Sequence, residues 1–155
     1  MFLRRAWRCG RFVNDGEARQ LTEVMQGVSE HEWSPDGKYV VTGSWDNTGR
    51  VWDAVTGQVV RRLGRELAKP QDEHRGRVNS AAFSPKEGLM VLTASDDGTA
   101  KLWSTKDWAL VRTLSGHEGP VLHAVFSHSG SRILTSSQDK TARVWDTATG
   151  EPTVT

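Results

Sequence analysis

One string of residues returns three times along this chain. The copies are Thr42-Gly-Ser-Trp-Asp46-Asn-Thr-Gly-Arg-Val-Trp52, Thr93-Ala-Ser-Asp-Asp97-Gly-Thr-Ala-Lys-Leu-Trp103 and Thr135-Ser-Ser-Gln-Asp139-Lys-Thr-Ala-Arg-Val-Trp145. In each, Asp follows Thr by four residues and Trp follows Asp by six. A chain of 155 residues would otherwise read as one ordinary domain. Repetition at fixed offsets makes it an array of similar units stacked on their neighbours.

The distance between copies fixes the length of the unit. Trp103 and Trp145 are 42 residues apart, and Trp52 and Trp103 are 51 apart. One residue of the difference lies in the turn Phe83-Ser-Pro-Lys-Glu-Gly88, and eight lie between Leu63 and Val78. The repeat is therefore 42 residues long, with an insertion at 64–73. Within a unit, a Val-initiated run (Val78 to Phe83, Val121 to Phe126) ends in a Ser-Pro or Ser-His turn carrying Gly. A second apolar run, an Asp-centred turn, an alternating strand ending in Trp, a turn such as Asp146-Thr-Ala-Thr-Gly150 and a fourth run follow. Short strands at close intervals without a helical period predict a four-stranded antiparallel sheet per unit.

These residues resemble the WD40 family. The resemblance rests on Gly116-His117, the Phe-Ser-(Pro)-x-Gly turns, the Ser-x-Asp turns and Val-Trp-Asp at 144–146, and it covers roughly residues 28 to 150. It implies an all-β fold of β-propeller blades, four-stranded antiparallel sheets standing around a channel. It divides the chain into an N-terminal segment, 1–27, a degenerate blade, 28–63, the inserted loop, 64–73, and blades at 74–114 and 115–155, the last without a complete fourth strand. Residues 12 to 21 loosely resemble the outer strand of a preceding blade. About three blades make an incomplete ring, since propellers use about four to eight. The expectation is part of a larger propeller, or self-association through the open blade edges if the chain is complete.

The resemblance also implies a hydrogen-bonded set in each blade, made of a loop His, a Thr, the turn Asp and the Trp. The matching residues are His74, Thr93, Asp97 and Trp103, then His117, Thr135, Asp139 and Trp145. The indole N–H only donates and a carboxylate only accepts, so such a set satisfies itself when buried. A His/Asp catalytic dyad is the competing reading, but a set repeated in every well-formed unit points to structure. The first unit keeps Thr42, Asp46 and Trp52 but has Val24 at the His position, so its blade is expected to be the least stable. Its inner strand carries Ser29-Glu30-His31-Glu32, where the other units have Ala81-Ala82 and Ala124-Val125. Glu30 and Glu32 share a strand face, yet no Cys or second His stands at ligand spacing, so degeneracy is preferred to a metal site.

Reaction chemistry is not visible. There is no GxGxxG, no Lys-Ser or Lys-Thr phosphate loop, no GxSxG and no HExxH. No catalytic residue, cofactor or metal is expected. A net charge of +1 speaks against broad capture of nucleic acid, and no apolar run reaches membrane-spanning length. The single Cys9 excludes an internal disulfide and fits a reducing, cytoplasmic setting. The first twelve residues hold four Arg and no acid, but lack the apolar centre of a secretory signal.

Function is then expected from the surface. In the family, partner proteins dock on the end bearing the Asp turns and the loops between blades. Carried over residue by residue, that face comprises Arg75, Arg77, Asp96, Glu118, Pro120 and Gln138, with Trp45 at the matching turn of the first unit. Trp is enriched at binding hot spots, and packing against an adjacent loop is its bland alternative. The insertion is expected to project from the same general face. Two functional readings stay open. One is a non-catalytic scaffold that holds protein partners; the other is a regulatory or sensing module of a larger signalling enzyme, such as a bacterial Ser/Thr kinase or signalling ATPase.

Overall fold

A computed structural model describes residues 11–14, 17–20, 27–64, 72–85 and 89–154. Val24, most of the insertion and the first ten residues, all read above from sequence, lie outside the described residues. Strands β1 (Arg11–Asn14) and β2 (Glu17–Gln20) pair as an antiparallel hairpin. Three four-stranded antiparallel sheets follow. The first holds β3 (Val28–Trp33), β4 (Tyr39–Ser44), β5 (Gly49–Asp53) and β6 (Val59–Leu63). The second holds β7 (Val78–Phe83), β8 (Met90–Ser95), β9 (Ala100–Ser104) and β10 (Leu110–Leu114). The third holds β11 (Val121–Phe126), β12 (Arg132–Ser137), β13 (Ala142–Asp146) and β14 (Pro152–Val154).

Each strand pairs with its neighbour in sequence, so every sheet is a meander ordered from first strand to fourth. Equivalent pairs share one register: Val40 faces Trp52, Val91 faces Trp103 and Ile133 faces Trp145. This is the geometry of propeller blades set side by side, with the ring not closed.

Side-chain alternation decides how the blades stack, because successive residues of a strand point to opposite sheet faces. One face of the middle blade presents Ala81, Phe83, Val91 and Trp103 to Val41, Val51 and Leu63 of the first. Its other face presents Leu92, Ala94, Ala100, Leu102 and Leu114 to Val121, Ala124, Ile133 and Trp145 of the third. A sheet covered on both sides has no polar alternation, and β8 is buried from Val91 through Ser95. In the third blade β12 alternates strictly between exposed and buried, as a sheet packed on one side should.

Turns at the two ends differ in chemistry. Gly57 and Gly150 close the turn between third and fourth strands at φ of 70° and 77°. In the middle blade Trp108 holds the same place at φ 60°, a left-handed conformation uncommon for a bulky side chain.

Candidate functional site

Every described blade carries a buried hydrogen-bonded chain under its Asp turn. In the middle blade Trp103 Nε1 donates to Thr93 Oγ1 at 2.9 Å. Thr93 Oγ1 lies 2.8 Å from His74 Nε2, and His74 Nδ1 lies 2.8 Å from Asp97 Oδ2. The indole cannot accept and the carboxylate cannot donate, so protons point one way, from Trp103 through Thr93 and His74 to Asp97. Burial lowers the His74 pKa against the opposing pull of Asp97, which keeps the ring neutral and suited to accept at Nε2. Burial alone would raise the Asp97 carboxyl. Hydrogen bonds from His74, the Thr99 hydroxyl and the Arg75 amide outweigh it and hold the group well below the carboxylate range.

The third blade repeats the arrangement. Trp145 Nε1 donates to Thr135 Oγ1 at 2.8 Å, His117 Nε2 sits 2.8 Å from that oxygen, and His117 Nδ1 sits 2.7 Å from Asp139 Oδ2. In the first blade Trp52 Nε1 donates to Thr42 Oγ1 at 2.9 Å. Asp46 is there engaged by Arg50 of its own blade, through a guanidinium–carboxylate contact, and by Thr48. Burial would raise Asp46, but Thr48, the Arg50 charge and Ser44 bring it below its ordinary value. Arg50 was missed in the sequence, although it occupies the repeat position of Lys101 and Arg143. At that position Lys101 instead reaches Thr113 Oγ1, 3.2 Å away.

Above these chains lies the end bearing the Asp turns. Trp45, Arg75, Arg77, Glu118 and Gln138 are exposed there, and Asp96 and Pro120 are half-buried. Backbone amides zip each turn to the loop beside it: Trp45 N–H to Gly27 O, Asp96 N–H to Arg77 O, Gln138 N–H to Pro120 O. Gly76 makes the middle zip possible, since a Cβ there would stand 2.7 Å from the Asp97 amide nitrogen. Trp45 is 49% exposed, and the Arg77 guanidinium of the next blade lies over its ring, 5.0 Å from the centroid. Asp96 is held by Asn79 Nδ2 at 2.7 Å, and the same amide group donates to Val121 O of the third blade at 3.0 Å. Asn79 was not foreseen because nothing in its local sequence marks a contact that crosses a blade boundary.

The charged inner strand of the first blade also finds partners. Glu32 Oε2 accepts the Phe83 amide of the middle blade at 2.8 Å. Glu30 Oε1 lies 2.9 Å from His123 Nε2 of the third. Among the described residues no group of three or more His, Cys, Asp or Glu is placed to hold a metal ion. No described helix is long and apolar enough to cross a membrane.

Known proteins carry the same pattern. The family model of the WD domain, G-beta repeat, matches at residues 22–53, 65–104 and 108–146. Protein HIR1 of Cryptococcus neoformans is 35% identical over 106 residues, covering 66% of this chain and 11% of that protein. The guanine nucleotide-binding protein subunit beta-2 of Nicotiana tabacum is 34% identical over 121 residues, 77% of this chain and 31% of its own length. The WD40 repeat-containing protein HOS15 of Arabidopsis thaliana is 34% identical over 117 residues, 70% of this chain and 19% of that one. The chain thus spans a third or less of these curated relatives. Three matched repeats, three blades in one register and the recurring Trp–Thr chains place this protein in the WD-repeat family.

Proposed function

We propose that the chain is a non-catalytic interaction scaffold, an arc of a larger propeller whose Asp-turn end captures protein partners. The observation that carries this reading is the Trp45–Arg77 pair, an exposed aromatic and a cation stacked across a blade boundary. Beneath it the backbone zips and the buried chains make a rigid base, and rigid bases bearing exposed Trp and Arg are typical of binding hot spots. The relatives support a role in assembly: the tobacco protein is by name a subunit of a guanine nucleotide-binding protein. The arc is supported by Leu134, which is 45% exposed, while Val41 and Leu92 at the same register position are 0% exposed under a neighbouring blade.

The test is Trp45→Ala in the native protein, with recovery of co-purifying proteins measured beside the thermal unfolding midpoint. Partner recovery is expected to fall about tenfold with cooperative unfolding retained and the midpoint little changed. Unchanged recovery, or an unfolded variant, overturns the assignment of Trp45 as a contact residue.

A further inference from the structure

At the end opposite the Asp turns, the seam between the first and middle blades opens into a pocket of about 220 Å³. Its wall carries two partly exposed aromatic rings, Tyr39 from β4 and Trp108 from the turn before β10, set against the buried Phe83 at the end of β7, with Val60 beside them. One carboxylate, Asp36, stands at the rim next to Ser34. The volume is smaller than drug-sized ligand sites and suits a single side chain.

The next seam lacks this chemistry. At the positions of Tyr39, Phe83 and Trp108 it has Met90, Phe126 and Gly150, so one ring replaces three. Trp108 is the informative difference. Its place in the turn is taken by Gly in both sister blades, and Trp holds the left-handed conformation there at φ 60°. Backbone strain of this kind persists only where its surroundings enforce it. Here the ring packs against the core between the two blades and is only partly covered.

Aromatic faces attract cations, and a nearby carboxylate adds charge complementarity. Asp36 accepts the Ser34 hydroxyl at 2.7 Å and the Lys38 amide at 3.1 Å. Those hydrogen bonds, Ser34 first, lower its pKa and keep it ionised. Its present cation is Lys38 Nζ at 3.2 Å, an ion pair whose side chains are 73% and 50% exposed. Such a pair is weak and readily exchanged. A planar guanidinium stacks on aromatic faces and binds carboxylate better than an ammonium does. The geometry points to Tyr39, Trp108 and Asp36, backed by the buried Phe83, as a receptor for an arginine side chain of a partner polypeptide, separate from the Asp-turn end.

The experiment uses the whole chain and a short peptide, acetyl-Gly-Gly-Arg-Gly-Gly-amide, beside its citrulline counterpart, the neutral isostere, and choline. Binding is read from the Trp108 indole N–H resonance, assigned by its loss in Trp108→Gly. That variant places at 108 the residue that serves the same turn in both sister blades. The arginine peptide is expected to shift the resonance with Kd about 1 mM. The citrulline peptide is expected to bind at least about tenfold more weakly. Asp36→Asn, which keeps an acceptor for Ser34, is expected to weaken the arginine peptide by a similar factor. Equal binding of the two peptides, or no shift up to about 10 mM, overturns the proposal. Tighter binding of choline than of the arginine peptide also overturns it, and assigns the pocket to free quaternary ammonium. None of these readings depends on Trp45, so the outcome is separable from that of the Asp-turn end.

Discussion

Threonine is the residue on which each blade's polar interior turns. Thr135 Oγ1 receives the Trp145 indole and faces His117 Nε2, with Trp145 only 1% exposed. Valine has nearly the same shape and none of the hydroxyl's capacity. Thr135→Val therefore strands a buried indole N–H and an imidazole nitrogen together. The cost is expected to be about 2–4 kcal/mol, one desolvated group of about 1–2 kcal/mol on each side, measured by urea denaturation. Serine at 135 retains the hydroxyl and is expected to recover most of the loss. A loss equally large for serine would show that the methyl group, not the hydrogen bonds, matters here.

Elements were legible where local pattern decides them. The Ser-x-Asp turns, the Trp-terminated strands and the meander order followed from the repeat, because each pairing joins strands adjacent in sequence. The seams were not legible, since the bonds from Glu32 to Phe83 and from Asn79 to Val121 join residues 51 and 42 positions apart. Nor was Arg50 read as the counterion of Asp46, because two side chains four apart on a turn and a strand meet only once the turn is built. The seam carboxylate gives an element-scale prediction. Burial raises the Glu32 pKa; the Phe83 amide opposes this and Glu30 adds to it. The folded state therefore holds the Glu32 proton to higher pH than the unfolded chain does. Its unfavourable contribution is absent below the unfolded pKa, about 4.3, and is complete above the raised folded value. Glu32→Gln keeps an acceptor for the Phe83 amide and removes the charge. It is expected to stabilise the seam between β3 and β7 by about 0.5 kcal/mol at pH 7, after allowance for solvent screening. The advantage should vanish near pH 4 in denaturation curves, and an advantage independent of pH would refute the electrostatic origin.

At the scale of the described blades, the stack has an open face, and the third blade shows it in one residue. Leu134 occupies the position of Val41 and Leu92, both fully covered by the next blade, yet stands 45% exposed. Exposed apolar sheet faces associate. For these 155 residues taken alone, with no further blade beside the third, we propose concentration-dependent self-association through this face, read by sedimentation velocity, and Leu134→Lys should weaken it by about tenfold or more, one lost apolar anchor. Undiminished association in that variant would move the contact elsewhere. The contact between Glu30 and His123 has a different consequence. It joins residues 93 positions apart in a topology whose strand pairings are otherwise short-range. Short loops close early in folding and long ones late. Strand pairing is local within each meander, but the apolar faces are covered only when neighbouring blades stack, so blades are expected to consolidate together and the Glu30 contact to form with them. The contact from Glu30 thus makes the surroundings of the first blade's inner strand depend on a blade two units away.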